Sequence, residues 1–95
     1  MEIRDLQSSM ARLYLERNQT RGRDVTFRWL TEEVGELAKA MRMGERTNLE
    51  HEFGDAMAWL ASLADLEGVD LEAAVARYSA TCPRCGDAPC GCPFP

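Results

Sequence analysis

Residues 32–55 read EEVGELAKAMRMGERTNLEHEFGD, and how this stretch folds decides the architecture. Phe27, Leu30, Val34, Leu37 and Met41 recur every three or four residues, which is the stripe of an amphipathic helix, and Gly44 closes that helix as a C-terminal cap. Thr47 with Glu50 three residues on has the pattern of a capping box, and Leu49, Phe53, Ala56, Leu60 and Leu63 carry a second stripe to Gly68. The turn between the two is so short that the helices must lie antiparallel as a hairpin.

Outward from the hairpin the same periodicity continues. Ile3, Leu6, Met10 and Leu13 form one stripe across residues 2–17, predicting a first helix that ends before Asn18. The polar stretch NQTRGRD, 18–24, reads as a loop, with Asp24 as the N-cap of the helix that follows. Asp70 can cap a short fourth helix bearing Leu71, Ala74, Val75 and Tyr78, and Pro83 ends any helical option. No segment alternates like a strand, so the fold class is all-α: an antiparallel hairpin or bundle of about four helices over residues 1–80, with a Cys-rich tail at 81–95.

At 95 residues, 45% hydrophobic and 28% charged, the chain has material for one domain. About 80 residues of helix give a small core, for which packing against a second copy is the usual remedy; a homodimer or homotetramer is expected. The net charge of −5 argues against nucleic acid or an anionic membrane as partner. The N-terminus lacks a signal-peptide run, and the longest apolar stretch, Ala56 to Ala61, is far below the roughly 20 residues of a membrane span, so a cytoplasmic location is expected.

Glu52 is out of place in this pattern. At about 100° per residue it falls inside the apolar arc of its helix, between Trp59 and Leu63 in projection, where an isolated carboxylate costs several kcal/mol unless something compensates it. Asp55 stands three residues on, and Glu33 and Glu36 have the same spacing on the preceding helix, so each pair shares a helix face. Counted from the turn, Glu36 and Asp55 both lie roughly 12 Å along the hairpin, which brings four acids to one level. Like charges so placed either protonate or gather divalent cations, and an all-oxygen donor set favours Mg²⁺ or Mn²⁺ over Zn²⁺.

With EEVGEL at 32–37 and EFGD at 52–55, and with WLTEEVGELAKAM and GDAMAWLASLADLEGVDLEAAV around them, the chain resembles the MazG-type all-α nucleotide pyrophosphohydrolases. The likeness covers about residues 20–77. It implies a metal-dependent, oligomeric enzyme that cleaves nucleoside triphosphates to a monophosphate and pyrophosphate, in house-cleaning of non-standard nucleotides, with Glu33, Glu36, Glu52 and Asp55 as metal ligands. Glu32, Glu33 or Glu36 can accept the proton of the attacking water, and Glu32 is the member of the doublet not needed as a ligand. Trp29 and Trp59 can either stack on a base or pack the core. Lys39, Arg42 and Arg46 are weaker candidates for phosphate contact, and His51, facing away from Glu52, is expected to be solvated and without a role.

The tail, CPRCGDAPCGCPFP, spaces Cys82, Cys85, Cys90 and Cys92 as C-x2-C-x4-C-x-C. CPRCG looks like a zinc knuckle and suits a structural Zn²⁺; disulfides, a site shared between subunits or a redox-active tail are the other readings. A helical oligomeric interaction module with a zinc-binding tail is the alternative to an enzyme, and it leaves Glu52 unexplained.

Overall fold

The computed structural model describes residues 1–94, which form four α-helices and no strand: α1 Ile3–Arg21, α2 Arg23–Met43, α3 Arg46–Glu67 and α4 Leu71–Val75. A single 3₁₀ turn, Ala76–Tyr78, follows α4. At the end of α2, Gly44 turns left-handed (φ 74°, ψ 11°), a conformation open to glycine without a Cβ clash, and its N–H donates to the Ala40 carbonyl at 2.9 Å. Gly68 closes α3 in the same way at φ 67°. The hairpin of α2 and α3 is the one the sequence predicts.

The ends of the helices differ from expectation in four places, the last being α4, which stops at Val75 and leaves Tyr78 in the 3₁₀ turn. α1 runs on through Asn18 to Arg21, and the predicted loop shrinks to Gly22. The polar residues there bond within the helix: the Arg21 guanidinium donates to Asn18 Oδ1 at 3.0 Å, and the Thr20 hydroxyl donates to the Glu16 carbonyl at 3.3 Å. Gly22, not Asp24, occupies the cap of α2, and Asp24 sits in its first turn, where its charge suits the helix dipole. α3 starts earlier than the Thr47 box implies, because the Glu45 carboxylate accepts from the N–H groups of Thr47 (3.0 Å) and Asn48 (2.8 Å). Asp70 does cap α4, taking the Ala73 N–H at 3.3 Å.

α3 lies between the other two long helices, packed on α2 along one side and on α1 along the other. Gln7 of α1 clasps the turn into α4: its amide donates to the Val69 carbonyl at 2.5 Å and accepts from the Leu71 N–H at 2.9 Å. Arg4 adds ion pairs to Asp70 and Glu72, and Arg23 to Glu67 ties the start of α2 to the end of α3 at 2.7 Å. These pairs are exposed, so solvent screening leaves each a minor part of the fold's stability.

Small side chains fill the space between the helices. The buried apolar residues are Ala40, Ala61 and Ala64, joined by Asn18, Thr26 and Ser62. The Thr26 hydroxyl is satisfied by donating to the Gly22 carbonyl at 2.8 Å. None of the large apolar residues of the predicted stripes is fully buried, and several are exposed: Phe27 is 57% exposed, Met41 65% and Phe53 53%, with Val34 and Leu60 also exposed. Among the described residues, no helix is long and apolar enough to cross a membrane.

Candidate active site

Glu33 of α2 meets Glu52 and Asp55 of α3 across the hairpin. One carboxylate oxygen from each lies within 4.8 Å of the others, and all three residues are half-buried. Glu52 Oε2 is shielded from solvent and has no hydrogen-bond partner. Three grouped carboxylates, one of them with an orphaned oxygen, are a donor set that fits a hard divalent cation, since all the ligand atoms are oxygens and no histidine or thiol is among them. Glu36 is exposed and stands outside this tight group, though its charge still acts on Glu33. Glu32 is exposed on α2.

Desolvation, followed by the charges of Asp55, Glu52 and Glu36, pushes the Glu33 carboxyl above the ordinary 4.5. A carboxyl that binds its proton more tightly when folded is destabilising while ionised, and the penalty is relieved as pH falls through the raised value towards 4.5. In chelator, Glu33→Gln is therefore more stable than the wild type near neutral pH, and the difference closes as the pH approaches about 4.5. Urea melts of both proteins across that window provide the check; a gap that does not change with pH would show Glu33 to be unperturbed.

His51 is exposed, as the sequence predicts, yet its Nε2 stands 3.6 Å from Asp55 Oδ2, one turn along α3. Arg46 is engaged by Glu50 at 3.2 Å, while Lys39 and Arg42 lie on exposed positions. Trp29 and Trp59 stack on each other across α2 and α3, with ring centroids 5.9 Å apart and planes 15° from parallel. The Arg21 guanidinium sits 5.0 Å from the Trp59 centroid.

Beside the acids a hollow of about 270 Å³ opens between α1 and α3, with Tyr14, Arg17, Arg21, Asp55 and Trp59 on its walls. Asp55 thus belongs both to the carboxylate group and to the hollow. Arg17 and Arg21 were not among the sequence candidates, because 18–24 reads as a loop; their i, i+4 spacing becomes informative only once α1 is known to continue through Arg21. In the tail, the sulfurs of Cys82, Cys85, Cys90 and Cys92 come together as a second cluster, and all four thiols are free. N–H groups of Asp87 and Gly91 pull the Cys85 thiol down to about 6.

A profile of the MazG nucleotide pyrophosphohydrolase domain matches residues 21–84. The chain belongs to the MazG family. Membership makes it a nucleotide-directed hydrolase of an all-α, metal-dependent class. No curated protein matches the chain. The MazG match takes in all of α2, α3 and α4 and both acidic motifs, and it ends between Cys82 and Cys85, so three of the four tail cysteines lie beyond it.

Proposed function

We propose that this MazG domain hydrolyses nucleoside triphosphates between the α and β phosphates, releasing a nucleoside monophosphate and pyrophosphate, and that it acts on non-standard nucleotides. The single observation that carries the proposal is the grouping of Glu52, whose Oε2 is shielded and unpartnered, with Glu33 and Asp55 across the hairpin. Glu33, Glu52 and Asp55, with Glu36 one turn further along α2, would hold Mg²⁺ or Mn²⁺. Such an ion, when bound, offsets charge on the triphosphate and the departing pyrophosphate and makes a water acidic enough to attack phosphorus.

The chain's own residues divide the remaining work. Glu33 accepts the proton of the attacking water, and its raised proton affinity favours that role. Glu32, exposed next to it, is the other acceptor in reach of solvent. Arg17 and Arg21 bring positive charge to the α1 wall of the hollow, whose other charged side chain is Asp55. The Trp29–Trp59 stack offers an aromatic face to a base, with the Arg21 guanidinium beside it.

The exposed rows Phe27, Val34, Met41 on α2 and Phe53, Met57, Leu60 on α3 support assembly as a homodimer or homotetramer, since a core of three alanines leaves most of the large apolar side chains uncovered. The proposal is tested by incubating the protein with standard and modified ribo- and deoxynucleoside triphosphates in Mg²⁺ or Mn²⁺ and resolving monophosphate and pyrophosphate. Turnover of at least one nucleotide, with those two products in equal amounts, is expected; an inert panel, or release of orthophosphate instead, would remove it.

A further inference from the structure

Hydrolysis by the acid cluster leaves the cysteine tail without a role. Its four thiols fall within one irregular loop, Cys82 to Cys92, that contains neither helix nor strand. The loop is mostly exposed, with Cys82 and Cys92 half-buried and Phe94 fully open to solvent. A segment with so little apolar cover lacks the burial that normally offsets the entropy of ordering a chain.

The sulfurs nevertheless converge. All four lie within 4.8 Å of one another; Cys82 and Cys92 are 3.8 Å apart, and Cys85 and Cys90 are 4.0 Å apart. Four thiolates at the ~2.3 Å zinc–sulfur distance, arranged tetrahedrally, have sulfur–sulfur edges of about 3.8 Å. The backbone is arranged to suit thiolates as well. N–H groups of Arg84, Gly91 and Cys92 donate to the sulfurs of Cys82, Cys85 and Cys90 at 3.4, 3.3 and 3.3 Å. Such donors orient sulfur ligands and disperse the surplus charge of an all-thiolate site.

Two backbone bonds close the loop on itself: Gly86 N–H to the Cys82 carbonyl at 2.8 Å, and Cys82 N–H to the Asp87 carbonyl at 2.9 Å. Gly86 holds φ 78° at the first of these turns, a left-handed conformation that places the chain after Cys85 on its way back to the sulfurs.

We propose that Cys82, Cys85, Cys90 and Cys92 of one chain form a closed structural Zn²⁺ site that orders the tail. Four protein ligands complete a tetrahedron, so the ion has no open position and does no chemistry on the nucleotide. Binding replaces four S–H bonds by four Zn–S bonds and releases the thiol protons to solvent, with no change in oxidation state. The site is independent of the carboxylate group in ligand chemistry: soft sulfur donors take Zn²⁺, and hard oxygen donors take Mg²⁺ or Mn²⁺.

The full-length protein, purified in reductant without chelator, should contain about one zinc per chain by elemental analysis. After zinc is displaced by a mercurial and the thiols are regenerated, added Co²⁺ should give thiolate charge-transfer absorption and the visible bands of a tetrahedral ion. Cys82→Ser and Cys90→Ser should each lower zinc to a small fraction of the wild-type content. Glu52→Gln should keep it, which separates this site from the hydrolase proposal. Protein with four titratable thiols, no bound zinc and no tetrahedral Co²⁺ spectrum overturns the proposal, as does iron in place of zinc, or zinc retained in a Cys82→Ser, Cys90→Ser double variant.

Discussion

Glu52→Gln should reduce metal-dependent pyrophosphate release by at least about 100-fold, close to 3 kcal/mol of transition-state stabilisation, while the helical fold persists. Losing a group that merely orients a metal ligand typically costs 10–100-fold, and Glu52 is proposed as a ligand itself. Gln keeps the size and shape of the side chain, so the change isolates charge. The same substitution should stabilise the protein in chelator, because it removes one of three carboxylates grouped within 4.8 Å and the charge on an oxygen that has no hydrogen-bond partner. Activity falls while metal-free stability rises, because one charge leaves the acidic group while the shape of the side chain is kept. Pyrophosphate release with saturating Mg²⁺ and thermal melts in chelator measure the two halves. Full activity in the variant would remove Glu52 from the site, and with it the proposed reason for a carboxylate on an apolar arc.

Much of this arrangement could be read from the chain. The glycines that end α2 and α3 announce themselves by position, and the short turn after Gly44 brings Glu33 opposite Glu52 and Asp55. The i, i+3 spacing of the acids required only that both segments be helical. What was not legible depended on tertiary context. Asn18 and Thr20 are indifferent helix formers, and only the buried place of Asn18 against its neighbours shows why α1 passes through them. The hollow's arginines were missed for that reason alone. Caps moved for a local reason: Glu45 can reach two free N–H groups from its own position, which makes the box at Thr47 unnecessary. The apolar rows read from the sequence are not the faces buried here, since α2 buries Thr26 and Ala40 and α3 buries Ala61, Ser62 and Ala64; periodicity identifies an apolar face without saying what covers it. In this chain, small residues bring the helices together, and Phe27, Met41 and Phe53 remain outside.

That exposure underlies the second large effect. Phe53→Glu should dissociate the oligomer and lower the melting temperature by more than about 10 °C. If Phe53 is solvated in a functional monomer, exchanging it for a charged residue is a surface change worth within about ±0.5 kcal/mol. If a second copy covers it, the same exchange places an unpaired charge in an apolar interface, where removing a partner or adding a lone charge costs about 3–5 kcal/mol. For a domain of this size each kcal/mol moves the midpoint by roughly 4–8 °C. The two cases are far enough apart to separate in one experiment. Phe53 lies on α3 one residue from Glu52 and two from Asp55, so covering it with another copy would also fix the helix that carries two of the proposed ligands. Sedimentation equilibrium should place the wild type at two or four times 10.7 kDa and shift Phe53→Glu towards the single-chain mass. Because association links stability to concentration, the wild-type midpoint should rise with protein concentration while the variant's does not. A wild-type mass of 10.7 kDa, with both midpoints equal and independent of concentration, would show that the exposed rows face solvent.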